Sequence, residues 1–296
     1  MRDSFASFHP FVNFLYFTCV ILFSMVFMHP VSLVISLSFA FAYSIYLNGK
    51  KAIKFNFIYM LPFLIITALI NPAFNHEGVT ILMYLHSGNP LTLESITYGF
   101  GAAAMFISVI CWFSCYNAVM TSDKFIYLFG KIIPALSLIF SMVLRFVPRF
   151  KAQLLIVSNA QRSIGRDVSN GSLIHRIQHG LRILSIMVTW MLENAIETAD
   201  SMKSRGYGLK GRTAFSIFTW ESRNRTALIT LLATAGYIFI GAAAKAMYFR
   251  YFPSMRSTGL SLYSISVFMA YAFLCAIPLI INITEDRKWK SLQSDN

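Results

Sequence analysis

The chain has little charge and very little acid. Of its 296 residues 12% are charged, and 12 Asp and Glu stand against 25 Lys and Arg. Soluble domains carry about 25% charged residues, so a water-facing surface of ordinary composition is excluded. Cysteine is scarce too. Cys19, Cys111, Cys115 and Cys275 all lie in apolar runs, which favours small buried apolar residues over a disulfide framework or metal ligands. The phosphate-binding spacing Gly-x-x-x-x-Gly-Lys-Ser/Thr is absent, so the chain has no recognisable means of holding ATP by itself. His175 and His179 form the one close histidine pair but lack the Glu that a zinc protease needs between them. They are expected as solvent-facing or interfacial helix residues. His76 and His86 fall in a polar loop, where loop polarity accounts for them better than metal capture. No acids, histidines and nucleophiles converge as a membrane enzyme would require. The apolar runs hold almost no ionisable residues, with Lys245 near one end; this weakens the alternative of a self-sufficient secondary transporter or channel.

What is present is apolar: 56% of the residues are hydrophobic, with 28 Phe and 14 Tyr. A membrane-spanning helix needs about 20 mostly apolar residues. Six runs approach that length: Phe11 to Met28, Val31 to Leu47, Phe57 to Ile70, Ile96 to Val119, Ala227 to Met247 and Leu260 to Ile283. Phe57 to Ile70 is short and needs help from flanking residues such as Lys54, whose stem reaches the interface. The first run follows a single Arg with no small-residue cleavage site, so it reads as an anchor and not a removable signal. The expected fold class is an all-α integral membrane protein with about six transmembrane helices and a cytoplasmic helical module.

Charge orients those helices. Between Arg145 and Arg225 stand 13 Lys and Arg against 5 acids, a net +8, whereas the loop from Asn71 to Ser95 has Glu77 and Glu94 and no base. Basic loops stay on the cytoplasmic side. This places both termini, a Lys50, Lys51, Lys54 loop and the basic segment inside, with a tight outer turn at His29-Pro30. The weak point is an outer loop from Tyr248 to Thr258 with Arg250 and Arg256 and no acid. Phe125 to Val147 passes for a span on hydropathy, but crossing would put the basic segment outside. It is read as an apolar helix at or under the membrane, broken near Pro134. Three parts follow: 1–124 with four spans, 125–225 as cytoplasmic or interfacial helices, and 226–296 with two spans and a tail.

Within the basic segment, Arg149 to Gly165 holds no helix breaker, with Pro148 before it and Gly165 as a stop, and Asp167 to Ser172 is turn-rich. From Ile174 the apolar residues Ile177, Leu181, Leu184, Val188, Met191 and Ala195 recur at helical spacing. That helix is expected to run to Ser204 and to stop at Gly206. At an offset of 41 residues, Ala160-Gln161-Arg162-Ser163-Ile164-Gly165 lies over Ser201-Met202-Lys203-Ser204-Arg205-Gly206. A basic last turn before Gly is ordinary capping chemistry, because a cation offsets the negative helix end. The same two ends also suit docking into acidic grooves, where the planar fork of Arg pairs with carboxylates and helix-end carbonyls. Small-residue patches at Gly99 to Ala104 and Gly241 to Ala244 let helices approach closely, either within the chain or against a partner.

Three stretches together, "LRFVPRF" at 144–150, "SNAQRSIG" at 158–165 and "ENAIETADSMKSRGYGLKGRT" at 193–213, resemble the transmembrane T component of energy-coupling factor (ECF) transporters, the EcfT/CbiQ-like family. The resemblance covers the cytoplasmic half; the spans agree in kind only. It implies a non-enzymatic coupling subunit in the bacterial or archaeal cell membrane. Its partners would be two ABC-type ATPase subunits, which carry the ATP, and a membrane-embedded substrate-binding S component for vitamin or transition-metal uptake, with no nucleic acid and no cofactor or metal of its own. Ser204, Arg205 and Gly206 match the second ATPase-docking motif, followed by Arg212-Thr213. Ala160, Gln161 and Gly165 match the first, where Ile164 stands at the motif's Arg position and Arg162 or Arg166 would take over. Arg145 and Pro148 fall on the coupling helix.

Overall fold

Two long helices start on the same His-Pro signal. In α1 (Pro10–Val26) and α2 (Pro30–Asn48) the proline takes the first helical position, where its missing N–H breaks no helical bond. The histidine before it caps the helix. His9 Nδ1 accepts from the Phe11 amide and His29 Nδ1 from the Val31 amide, each at 3.2 Å.

The computed structural model describes residues 3–84, 88–130, 134–169, 171–209, 218–259 and 261–294. After α2, the helix α3 (Lys50–Phe55), a π turn at Asn56–Met60 and α4 (Leu61–Phe74) form one 25-residue run. Lys50, Lys51 and Lys54 therefore stand on a helix and not in the loop expected for them. Lysine is a good helix former whose stem can lie along apolar surface, so the span expected as short gains its length from the basic residues before it. A hairpin of β1 (Ile81–Tyr84) and β2 (Pro90–Thr92) leads into α5 (Leu93–Val119). The buried Glu94 carboxylate accepts from the amide of Thr80 and, at 2.9 Å, from its hydroxyl, tying hairpin to helix. Then come α6 (Ser122–Gly130), α7 (Pro134–Ser163), α8 (Leu173–Ser204) and α9 (Ser222–Ala243), a hairpin of β3 (Phe249–Arg250) and β4 (Arg256–Ser257), and α10 (Leu262–Ser294).

Among the described residues five helical runs are long and apolar enough to cross a membrane: α2, the run Lys50–Phe74, α5, α9 and α10. The sixth expected span, α1, is an apolar helix of 17 residues, and neither α6 nor α7 is among the five. The chain is an all-α multi-pass membrane protein. It divides into two compact units, one of Met1–Phe125 with Phe218–Asn296 and one of Ile126–Ile217.

In the first unit the core is aromatic, with Tyr16, Tyr43, Trp112 and Tyr271 fully buried. Hydroxyls bind its helices together. Ser36 on α2 lies 2.7 Å from Ser24 on α1 and 2.5 Å from Ser108 on α5, and accepts from Trp112 Nε1 at 3.0 Å; Tyr271 on α10 lies 3.2 Å from Ser24. Such bonds between spans contribute about 0.6 kcal/mol each. None of the four cysteines is in a disulfide; Cys111, Cys115 and Cys275 are buried and Cys19 is half-buried. A glycine of each small-residue patch packs inside this unit, while Ala243 and Ala244 of the second patch are exposed. A Cβ on Gly99 would meet the Ala68 carbonyl oxygen of α4 at 2.5 Å, and one on Gly241 would meet Val267 of α10 at 2.6 Å. The N-terminal turn is pinned by polar bonds: Asp3 accepts from Asn282 at 2.7 Å and from Tyr43 at 3.1 Å, and Lys124 donates to the Val119 and Ala6 carbonyls.

In the second unit α7 does not begin after Pro148, as the sequence suggested. It starts at Pro134 and carries Pro148 within it. A proline forfeits one backbone bond and crowds the preceding turn, but the helix formers on both sides carry the ladder past it. The break expected near Pro134 adjoins residues 131–133, outside the described residues; α6 ends at Gly130 and the described α7 begins at Pro134.

Candidate functional site

The candidate site consists of the two basic helix ends in the second unit, where α7 and α8 close in the same way. At the end of α7 the amide of Gly165 donates to the Arg162 carbonyl and that of Arg166 to the Gln161 carbonyl, both at 3.0 Å. At the end of α8 the amide of Gly206 donates to the Lys203 carbonyl and that of Tyr207 to the Met202 carbonyl, again both at 3.0 Å. Gly165 and Gly206 have φ of 78° and 82°, the left-handed conformation that glycine adopts without a Cβ penalty. This is the double-bonded glycine cap that satisfies the last free carbonyls of a helix. These two cap bonds of one end fall on their counterparts at the 41-residue offset, while the amide before the glycine differs: Ile164 donates to the Gln161 carbonyl and Arg205 to the Ser201 carbonyl, each at 3.3 Å. The sequence register is thus a structural one.

Side chains differ on this shared backbone. The residue before the cap glycine is Ile164 in one end and Arg205 in the other; the residue after it is Arg166 in one and Tyr207 in the other. Ala160, Arg162, Ile164, Arg166, Ser204 and Arg205 are exposed. Arg162 lies 3.3 Å from Asp167. Asp167 also accepts from the Ser169 hydroxyl at 2.7 Å and the Ser169 amide at 2.9 Å. These Ser169 bonds, with the Arg162 charge behind them, hold its carboxyl below the usual carboxylate range. Gln161 Oε1 is buried with no hydrogen-bond partner among the described residues. Among the described residues no ion pair engages Lys203 or Arg205.

Arg205 does not stand alone. It lines a groove of about 690 Å³ between α7 and α8 with Arg145, Arg149, Glu197, Ser201 and Tyr207. The sequence reading singled out Arg145 and missed Arg149, although the two are four residues apart and share one helix face. Arg149 lies 5.6 Å from the Trp190 ring centre, a cation–π contact joining α7 to α8. Pro148, on the same helix, is exposed. The apolar series read at helical spacing on α8 is largely open: Ile174, Ile177, Leu181 and Leu184 are exposed, while Ile183 and Met187 are the buried residues of that helix. A helix with one long neighbour in its own unit cannot cover so wide a stripe. His175 is exposed and His179 half-buried. Arg212, Thr213 and His86 lie outside the described residues.

No family model matches the chain. Among curated proteins it is similar to several named as energy-coupling factor transporter transmembrane protein EcfT. That of Lactobacillus helveticus is 36% identical over 106 residues, 36% of this chain and 38% of the relative. That of Lactococcus lactis is 32% identical over 98 residues, 33% of this chain and 37% of the relative. That of Listeria innocua is 26% identical over 218 residues, 67% of this chain and 80% of the relative. The matched part thus spans under two fifths of the length of the first two relatives.

Proposed function

We propose that this chain, a relative of the EcfT transmembrane proteins of energy-coupling factor transporters, is the non-catalytic coupling subunit of an ECF-type importer. In this reading its partners in the bilayer and at its cytoplasmic face are a substrate-binding S component and two ABC-type ATPase subunits. The subunit passes ATP-driven motion of the ATPases to the S component, which releases a vitamin or a transition metal inside the cell.

The observation that carries the reading is the pair of matching glycine caps 41 residues apart. One such end is an ordinary helix stop; two with the same pair of cap bonds, on the two longest helices of the basic module, form a bidentate connector. At the rise of 1.5 Å per residue, α7 and α8 are about 45 and 48 Å long. A helix of that length moves as a lever, so a displacement at its capped end reaches the rest of the module. The positive segment suits the cytoplasmic side. An exposed guanidinium at a helix C-terminus gives an acidic partner a planar fork of donors, and the partial negative charge of the helix end holds that guanidinium in place. Both termini then lie in the cytoplasm. No step of the chemistry falls on this chain: ATP is bound and hydrolysed on the partner subunits.

The test is Arg205→Glu in the complex reconstituted with its ATPases and S component. The expected result is normal insertion with ATPase attachment weakened or hydrolysis uncoupled from uptake. Unchanged uptake would show that the basic cap serves the helix alone.

A further inference from the structure

Strand β1 is apolar at each of its positions, and none of them is covered. Ile81, Leu82, Met83 and Tyr84 are exposed by 47%, 54%, 58% and 65%. Met83 and Tyr84 pair in regular succession with Leu91 and Pro90, so their side chains leave opposite faces of the hairpin. Both faces are therefore open. Between Glu77 and Glu94 the sequence holds no Asp, Glu, Lys or Arg. The hairpin is nevertheless firmly held at its base. The Thr92 hydroxyl donates to the Glu77 carbonyl at 2.7 Å, the Leu93 amide donates to the Thr80 carbonyl at 3.0 Å, and the Glu94 carboxylate accepts from the Thr80 hydroxyl. Asn71 Nδ2 of α4 donates to the Ser95 carbonyl of α5 at 2.7 Å, joining the two helix ends beside it.

These bonds fix the hairpin at one end of two membrane-spanning runs, and its surroundings there follow from its chemistry. Water is unfavourable, because four consecutive apolar side chains would be hydrated on both faces. The hydrocarbon interior is unfavourable for the opposite reason: a two-stranded hairpin has open edges, and acyl chains offer no partner to their N–H and C=O groups. A protein laid on one face leaves the other in water. The boundary between headgroups and acyl chains meets every demand, since it brings water to the edges and apolar surroundings to both faces. The lipid-facing surface also runs up to the strand. Leu69, Ile70 and Phe74 are exposed on α4, and Val79 is exposed on the approach to β1. Tyr84 suits that depth, as a ring with one polar end is favoured at the headgroup level.

We propose that the β1–β2 hairpin is an interfacial anchor, lying in the bilayer at the boundary of headgroups and acyl chains with phospholipid against both of its faces. It sets the depth of the α4–α5 pair, because sliding that pair along the bilayer normal would carry the apolar strand into water or its open edges into hydrocarbon. The anchor is independent of the coupling role.

The experiment uses the full chain in nanodiscs of phosphatidylcholine with phosphatidylglycerol. Met83→Cys and Tyr84→Cys report on the two faces, and Glu77→Cys is the control outside the strand; all three side chains are exposed, so the substitutions leave packing intact. The native cysteines are buried or half-buried, and the unsubstituted chain serves as the blank. Each thiol carries an environment-sensitive fluorophore, quenched from the lipid by phosphatidylcholine with a nitroxide high on its acyl chain, or from water by iodide. At a depth of about 5–10 Å, the labels at 83 and 84 should both lose about half their emission to the nitroxide lipid and little to iodide. The label at 77 should respond mainly to iodide. Iodide quenching at 83 or 84 as strong as at 77 would place the hairpin in water, and a strand label reached by neither quencher would mean a protein cover. Either result would overturn the anchor.

Discussion

At the scale of single residues, Gly206 and Gly165 set the geometry on which the docking reading depends. Gly206→Ala would force a Cβ into φ of 82° and place it 3.1 Å from the Leu209 Cδ1, an exposed and movable group. The cost is therefore mostly backbone, about 1–2 kcal/mol. The amides of Gly206 and Tyr207 should exchange hydrogen faster while those of the spans do not change. Gly165→Ala, which meets nothing within 4 Å, should do the same at the end of α7 for the backbone reason alone. Asp167 supplies a pH signature. Its lowered carboxyl pKa means that the Arg162–Asp167–Ser169 turn is stabilised above the ordinary carboxylate range near 4 and loses that stabilisation as pH falls through the lower folded value. Amide exchange at 166–169 should rise only on that acid side, and Asp167→Asn should abolish the dependence. The two glycine stops and the Ile164/Arg205 difference were legible in the sequence. The Arg162–Asp167 pair was not, because which of several nearby bases an acid takes is settled by how the turn folds.

At the scale of elements, helix contacts follow the small residues. Gly99 lets α5 approach the Ala68 carbonyl of α4, and that neighbour is backbone, which has no rotamer to change. Gly99→Ala should push the helices apart and cost about 1–3 kcal/mol, read as a lower melting temperature of the detergent-solubilised chain. Such patches were legible as places of close packing, but the partner helix was not: a glycine says that something comes near, not what. The basic run Lys50 to Lys54 was misplaced in a loop for a related reason. Charge marks the membrane boundary and not the helix boundary, so the helix continues through it from Lys50. Pro148 misled in the opposite direction, since one lost bond does not end α7. Both hairpins went unread, their strands of two to four residues being too short for an alternating pattern.

At the scale of the whole molecule, hydropathy was enough for the class, because runs of apolar residues leave few alternatives to spanning helices. The structure gives α1, α2, α5, α9, α10 and the Lys50–Phe74 run at the six places the runs indicated. The openness of α8 was not legible. Its apolar series has helical spacing whether it packs on its own chain or awaits another, and only coordinates separate the two cases. The most direct test of the central claim is purification of the tagged chain, solubilised in mild detergent, from cells expressing its ATPases and S component. The account predicts that wild-type chain brings down two ATPase subunits and that Arg205→Glu loses at least one of them with its own yield unchanged. A wild-type chain that inserts fully and comes down with no ATPase would contradict it.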